Sequence, residues 1–500
     1  MTALVQTVAA MGPFTTAHVL AALAIAASLQ VLWMLHRAFF GGAAHVPGPW
    51  HTRWTSLALD LNYYRGRRAL WVHALHHEYG PMVRIAPNEV SFTDLSAIKT
   101  IYSTKETFIK APFYRSISPP DQESIFSTVR PAYHRHSRRL LAGPMSETSL
   151  RAHTATVNER VEQAIERIGD EMKTRGAADV LKWWLFLATD TIGELTFGES
   201  FRMLELGRIN GYALDLQSVG KMGAVRYMFP WIMHLTALIP VPIPLIRRVH
   251  HATQRLRNYA FASLARHGNL IAKDPSCVRQ TLFSKFFLAA NEQRLSPNEM
   301  RDEAITYIIA GSDTTANTLT YLVWAVCRQP LIQQRLVAEL KTLPAAFEEH
   351  DLRALPFLNA VIDETLRLYS AAPSGLPRVV PPEGAVLAGS LFKPGTVVGT
   401  QAYSTHRNGN VYPNPDLFDP SRWEAPTKLM KDTFMPFGRG PRNCIGLHLA
   451  QIELRLATAR FFLAYPNAKV SDREGMSDRD MDPTVFFLFS PSGRRCLIEV

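Results

Sequence analysis

The chain has 500 residues, of which 47% are hydrophobic and 19% charged, a balance typical of a globular protein and far from that of a disordered chain. Its net charge of +11 suits an acidic protein surface or an anionic lipid. We expect no nucleic-acid partner, because the sequence has no zinc-finger spacing, no basic leucine-zipper pattern and no dense lysine run.

The N-terminal segment is apolar. Residues 1–35 contain no Asp, Glu, Lys or Arg, and AHVLAALAIAASLQVLWML (17–35) is long enough for one membrane-spanning helix. The first charge is Arg37 and more arginines follow, so the positive-inside rule places the rest of the chain in the cytosol. Against a cleaved signal peptide, no basic stretch precedes the apolar run and no clear cleavage site follows it. We predict an uncleaved anchor over 1–36 and a basic, proline-stiffened hinge over 37–50.

The rest of the chain, 51–500, is predicted to form one mainly α-helical catalytic domain with small β-sheets. Strand patterns and turn residues place the β-rich parts near 80–95 and 371–425. Helical periodicity places the α-rich core over 120–370 and 444–463.

A second apolar segment, 225–246, contains four prolines and therefore cannot be a spanning helix. It fits a surface segment that dips into the bilayer interface beside a substrate entry. It fits an ordinary buried loop equally well.

The clearest predicted helix begins after Ser296, which is a good N-cap, and Glu299 completes a capping box. Its middle, GSDTT (311–315), consists of poor helix formers whose hydroxyls can bond and bend the backbone. The flanking runs are apolar nearly all round, which favours a buried, locally opened functional step over a solvated polar face.

The cysteines of the chain are far apart and form no CxxC pair, which indicates a reducing compartment and disfavours a disulfide scaffold. Cys444 lies in FMPFGRGPRNCIG (434–446), just before a predicted helix. Glycines let the backbone approach a ligand closely, and Arg439 and Arg442 offer forks suited to carboxylates. A thiolate in such a loop describes a proximal haem pocket.

At this motif the sequence resembles the cytochrome P450 family. Phe437, Gly440, Arg442, Cys444 and Gly446 fit its haem-binding pattern F-x-x-G-x-R-x-C-x-G at every defined position. Three further blocks follow the family's order: AGSDTT (310–315), ETLR (364–367) and DPSRW (419–423). The resemblance covers essentially the whole chain and implies the cytochrome P450 fold, preceded by a single transmembrane helix.

The resemblance also implies roles for individual residues. Cys444 is the axial ligand of a haem b iron, and Asp313 and Thr314 are the catalytic residues that deliver protons during oxygen activation. The predicted haem-binding residues are Arg442, Arg138, His134, Arg378, Phe437, Gly438 and Gly446. His134 stands where the family often has tryptophan. Glu364, Arg367 and Arg422 form a buried structural network, although spacing alone would favour a solvated surface pair.

The predicted substrate pocket is largely apolar, which suggests a lipophilic substrate. Its residues are Ala310, Thr315, Ser374, Leu376 and Phe487. The chain is similar to cytochromes P450 of filamentous-fungal secondary metabolism, which predicts hydroxylation of a terpenoid, polyketide or alkaloid. The expected partners are O₂ and an NADPH-cytochrome P450 reductase, with cytochrome b5 as a second electron donor, at the endoplasmic reticulum membrane.

Two alternatives remain at this level. One is an isomerase, dehydratase or lyase of the same fold that works without a reductase, and the other is a non-catalytic haem-binding protein. Such isomerases and lyases often lose the acid and alcohol pair, so the presence of Asp313 and Thr314 favours the monooxygenase.

Overall fold

A computed structural model describes residues 16–119, 122–228, 244–273, 281–284, 287 and 295–500. The helices are α1 Thr16–Phe40, α2 Leu57–Tyr64, α3 Arg68–Tyr79, α4 Leu95–Ile101, α5 Phe113–Ser116, α6 Pro131–Leu141, α7 Glu147–Leu150, α8 Thr154–Arg175, α9 Val180–Phe197, α10 Met203–Leu206, α11 Gly211–Met228, α12 Pro244–Lys273, α13 Pro297–Cys327, α14 Pro330–Leu340, α15 Glu349–Arg353, α16 Pro356–Leu368, α17 Ala402–Thr405, α18 Lys428–Thr433 and α19 Leu447–Ala464.

The strands are β1 Met82–Ala86, β2 Glu89–Phe92, β3 Ile109–Lys110, β4 Ala178–Asp179, β5 Arg378–Val379, β6 Ala385–Leu387, β7 Ser390–Phe392, β8 Val397–Gly399, β9 Lys469–Val470, β10 Pro483–Val485, β11 Phe489–Pro491 and β12 Leu497–Glu499. The largest sheet has the order β1-β2-β8-β5-β3. Only β2 and β8 pair in parallel within it. The predicted mainly α fold with small sheets is confirmed.

The main core lies between the long helices. Buried apolar side chains of α8, α9, α13, α16 and α19 form one continuous cluster. A second cluster covers the largest sheet, where Val90, Phe92 and Val398 pack against Ile98 of α4. These two clusters position the cysteine loop, which joins α18 to α19.

Helix α13 crosses the main core. Its predicted capping box is present, because the Ser296 side chain accepts from the Glu299 amide and the Glu299 carboxylate accepts from the Ser296 amide. The predicted local opening at 311–315 is wrong, since the helix is continuous from Pro297 to Cys327. The hydroxyls instead bond carbonyls one turn back, which satisfies them without breaking the helix.

Helix α1 ends at Phe40, beyond the predicted boundary at residue 36. Within the described residues, Leu20–Phe40 is the one helix long and apolar enough to cross a membrane. The segment after it packs on the domain, with Ala43 and Val46 fully buried. Lys393 Nζ also donates to the Phe40 carbonyl oxygen at 2.8 Å. Helix α1 therefore joins the domain through a packed connection.

The apolar proline-containing segment 225–246 lies mostly outside the described residues, which omit 229–243. Its two alternatives, interfacial segment and buried loop, both stay open.

Candidate functional site

The cysteine loop is shaped by its backbone. The Cys444 amide donates to the Phe437 carbonyl oxygen at 2.8 Å, and α19 begins three residues later. Gly438 and Gly440 have positive φ angles of 72° and 73°, a conformation that glycine adopts without strain. A side chain at Gly440 would also clash with the carbonyl oxygen of Tyr102. Gly438 and Gly440 are therefore required by the fold of the loop.

The Cys444 side chain faces open space. It is exposed, whereas Cys327 and Cys496 are buried. On helix α13, Ile309 and Ala310 are also exposed, although most of the residues around them in the helix are buried. The two elements are close enough for Cys444 to raise the pKa of Tyr307 on α13, although burial is the larger cause. We infer that an open space separates the cysteine loop from the middle of α13.

The protein around Cys444 raises the pKa of its thiol. Desolvation by the protein atoms around the sulfur is the largest cause, although the side chain borders open space, and the Gly446 amide and the Arg138 charge oppose it. The expected help from a helix N-terminus is therefore outweighed by desolvation. A thiolate at this position requires a further positive charge, such as a metal ion.

Beside the loop lies a cluster of basic side chains, which we call the cationic cluster. Its members are Lys110, His134, Arg138, Arg378 and Arg442. Burial, followed by the charges of the other four members, lowers the pKa of His134 to about 3. Burial, followed by Arg378 and Arg442, also lowers the pKa of Lys110. Repulsion of this kind shows that positive charge is in excess at this point.

The cluster's described contacts do not neutralise that charge. Arg442 Nε donates to Glu106 Oε1 at 2.5 Å, and Arg138 donates to the Asn443 carbonyl and side-chain oxygens at 2.6 and 2.7 Å. Among the described residues, Arg442 Nη2 and His134 Nδ1 are buried without a hydrogen-bond partner. An open cavity of about 460 Å³ borders the cluster. Buried nitrogens without hydrogen-bond partners and an excess of positive charge, next to an accessible thiol, are suited to binding the two carboxylates of haem.

Lys110 was not predicted from the sequence. Its ammonium donates to the Phe126 carbonyl oxygen at 2.5 Å and lies 4.2 Å from the centre of the Tyr114 ring. Arg378 Nη1 donates to the Tyr114 hydroxyl at 3.2 Å. A lysine within the apolar run FIKAPF (108–113) is a signal that could have identified it, since lysine is rarely buried without a partner.

Glu364 and Arg367 form a fully buried pair on α16, with Nη2 to Oε1 at 2.8 Å and Nε to Oε2 at 2.8 Å. Arg422 Nε lies 3.0 Å from Oε1, and Trp423 Nε1 donates to Oε2 at 2.9 Å. The pair is therefore buried and bridged, in contrast to a solvated surface pair.

This network reaches the cysteine loop through His406. Arg367 Nη1 donates to the His406 carbonyl oxygen at 2.8 Å, and His406 Nε2 accepts from the Met435 amide at 2.9 Å. Burial lowers the pKa of His406 to about 3, which keeps the ring neutral and able to accept. The start of the loop is thus tied to α16.

On α13, the Thr314 hydroxyl donates to the Ala310 carbonyl oxygen at 2.6 Å, and burial raises the pKa of Asp313. Thr315, predicted in the substrate pocket, is buried instead. Its hydroxyl donates to Glu453 Oε2 on α19 at 3.0 Å, so the side chain points toward α19.

The remaining predicted pocket residues differ in exposure. Ala310 is exposed and Leu376 partly buried. Ser374 is buried and donates to the Phe486 carbonyl oxygen at 3.3 Å. The Phe487 ring lies 5.5 Å from the Phe126 ring, measured between centres.

Glu453 gives a pH prediction. Burial raises its pKa from 4.5 to about 8, so the native chain holds a proton that the unfolded chain releases between these values. The free energy of unfolding should therefore fall as pH rises from about 4.5 to about 8. Glu453→Gln should remove part of this slope in urea melts across that pH range. Glu162→Gln, at an exposed carboxylate, is the control, and an equal slope in wild type and Glu453→Gln would contradict the assignment.

Comparison with known proteins identifies relatives of the whole chain. A model of the family described as Cytochrome P450 matches residues 46–495. The cytochrome P450 monooxygenase tazI of Aspergillus terreus is 45% identical over 472 residues, covering 94% of this chain and 96% of that protein. The cytochrome P450 monooxygenase orf2 of Aspergillus niger is 40% identical, with coverages of 94% and 96%. The cytochrome P450 monooxygenase stcB of Emericella nidulans is 33% identical, with coverages of 93% and 89%.

Proposed function

The chain belongs to the cytochrome P450 family, and from this premise we propose that it is a haem-thiolate monooxygenase that inserts one atom of O₂ into a lipophilic small molecule. The observation that carries the proposal is the accessible Cys444 thiol, which faces the middle of α13 and lies beside the cationic cluster. The fungal relatives, all named monooxygenases, support a hydroxylation step in secondary-metabolite biosynthesis.

When bound, haem supplies the iron on which O₂ is activated. The protein's part is to hold and orient it. Cys444 provides the thiolate ligand, and the iron's charge offsets the desolvation that otherwise keeps the thiol protonated. Arg138, Arg378 and Arg442, together with His134 and Lys110, bind the two propionates. Phe437, Gly438 and Gly446 shape the loop on the cysteine side.

Asp313 and Thr314 on α13 carry groups that can transfer protons. Because burial raises the pKa of Asp313, its carboxyl retains a proton to higher pH and can donate it. The Thr314 hydroxyl now donates to the Ala310 carbonyl oxygen, and rotation about its Cα–Cβ bond would redirect that donor into the open space. We assign to this pair the delivery of protons during oxygen activation.

We propose that the electrons are supplied by a separate protein, because these 500 residues contain no dinucleotide-binding fingerprint. We propose an NADPH-cytochrome P450 reductase as donor, with cytochrome b5 as a second donor. We also propose that α1 anchors the chain in the endoplasmic reticulum membrane, with the domain in the cytosol. Protease treatment of sealed microsomes tests this orientation. A domain in the cytosol should be digested without added detergent.

The function is tested by deleting the gene in its host and comparing metabolites. A lipophilic compound should accumulate, and purified protein with reductase, NADPH and O₂ should hydroxylate that compound. Turnover of the compound without reductase or NADPH would instead support an isomerase, dehydratase or lyase.

Thr314→Ala provides a second test with the same compound. We expect haem binding to persist, while hydrogen peroxide formed per NADPH rises and product falls, because a proton donor is lost. Thr306→Ala is a matched control, since its hydroxyl makes the same bond one turn back on α13, to the Asp302 carbonyl oxygen. Full coupling to product in Thr314→Ala would contradict the proton-delivery role.

A further inference from the structure

Two histidines one turn apart lie on α3, where the first of them contacts α17, far along the chain from the cysteine loop. His73 Nε2 and His77 Nε2 are 3.1 Å apart, and the ring centres are 4.5 Å apart with the planes nearly perpendicular. Residues at i and i+4 share a helix face, so the spacing of these two residues along α3 brings their imidazole nitrogens close together. His77 is exposed, which leaves that point open to solvent.

We propose that His73 and His77 form a binding site for a divalent transition-metal ion such as Zn²⁺ or Cu²⁺. Imidazole nitrogens bind Zn²⁺ at about 2.0–2.1 Å. Two such ligands on one ion, at angles between a right angle and the tetrahedral angle, lie about 2.9–3.4 Å apart. The observed 3.1 Å falls inside this range, so the spacing of the two nitrogens suits one shared ion.

His73 is oriented by a second contact of the kind that metal-binding histidines make. Its Nδ1 lies 3.3 Å from the Ser404 hydroxyl, which also accepts from Gln401 Nε2 at 2.7 Å. With the proton on Nδ1 and donated to Ser404, the Nε2 lone pair points toward His77. Burial, and then the His77 charge, lower the pKa of His73 to about 4, so the ring is neutral and able to ligate near neutral pH.

The surrounding charges nearly balance. Arg407 lowers the pKa of His73 and Asp416 raises it, and these two side chains pair with each other, Nε to Oδ1 at 3.1 Å. His76 is engaged elsewhere, with the Gly80 carbonyl oxygen at 2.9 Å and the Ser91 hydroxyl at 2.8 Å. The site thus has two protein ligands, and water completes the coordination.

The described residues contain no group of three or more candidate ligands, so this is a surface site of two nitrogens. Imidazole favours Zn²⁺, Cu²⁺ and Ni²⁺ over the oxygen-preferring Mg²⁺ and Ca²⁺. In the absence of metal, one ring donates an N–H to the other across the 3.1 Å. On metal binding, the proton on His77 Nε2 moves to Nδ1 by exchange with solvent, which frees the Nε2 lone pair for the ion.

The test is equilibrium dialysis of the full-length haem-loaded protein against micromolar Zn²⁺, followed by metal analysis per chain. We expect wild type to bind one more zinc ion than His77→Ala. His251→Ala is the control: it removes an exposed histidine whose neighbour His250 is adjacent in sequence, with ring centres 6.2 Å apart, too far for a shared ion. Equal zinc content in wild type and His77→Ala, or an equal loss in His251→Ala, would overturn the proposal.

Two further measurements separate the site from non-specific binding. Electron paramagnetic resonance of the Cu²⁺-loaded protein should show splitting from two nitrogen ligands in wild type and lose it in His77→Ala. Dialysis against Mg²⁺ should give no difference between the two proteins. A magnesium difference of one ion per chain would refute the imidazole assignment. His77 is exposed, so His77→Ala should fold normally. An unchanged ferrous carbon monoxide spectrum of the variant would show that it is folded.

Discussion

Cys444→Ala is expected to abolish the red-shifted Soret band of the ferrous carbon monoxide complex together with all monooxygenase activity. That band requires a thiolate on the iron, and Cys444 is the exposed cysteine among those described. The cationic cluster should still attract the propionates, so some haem can remain bound without the band. The measurement is the carbon monoxide difference spectrum of purified protein, normalised to haem and to chain.

Cys327→Ala is the matched control. This thiol is buried at the end of α13, and its removal should leave the band in place. An unchanged band in Cys444→Ala would overturn both the ligand assignment and the proposed function. Loss of the band in both variants would indicate that the substitutions destabilise the protein. The loss in Cys444→Ala would then no longer support the ligand assignment.

Glu364→Gln is expected to produce the largest loss of stability. The substitution leaves the buried cations of Arg367 and Arg422 without their carboxylate. Breaking a buried pair in this way costs about 3–5 kcal/mol, because the remaining charge is desolvated and uncompensated. Since the network reaches the cysteine loop through His406, we expect the haem-loaded fraction to fall with it.

The measurements are the fraction of purified chain that gives the carbon monoxide band and the urea concentration at which that band is lost. Glu205→Gln is the control, because Arg202 and Glu205 have the same i,i+3 spacing and the same 2.8 Å separation but are exposed. It should change stability by less than about 1 kcal/mol. Similar urea midpoints in the two variants would contradict the structural role of the buried network.

The haem motif shows how much a local pattern can predict. The spacing of Phe437, Arg442 and Cys444 identified the cysteine loop and the helix that follows it. Positive φ angles explain the glycines at 438 and 440. The family assignment followed from the same residues and is confirmed by the match over 46–495. Such features depend on the geometry of a few neighbouring residues, so one short stretch of sequence is enough to predict them.

Helix α13 shows where local reasoning fails. The capping box at Ser296 was predicted and is present. The opening at 311–315 was also predicted but is absent, because tertiary packing against α9 and α19 outweighs the weak helix propensity of these residues. The direction of Thr315, toward Glu453 and away from the open space, likewise depends on where α19 lies.

The sequence by itself determined the apolar N-terminal helix, the cysteine motif and the mainly α fold, because composition, spacing and periodicity are properties of neighbouring residues. Only the tertiary structure decided that Lys110 joins Arg378 and Arg442 in one cationic cluster and that Thr315 pairs with Glu453. These groups are brought together by packing over hundreds of residues. Their pKa values and pairing are set by desolvation and by charges from distant segments, which no local pattern records.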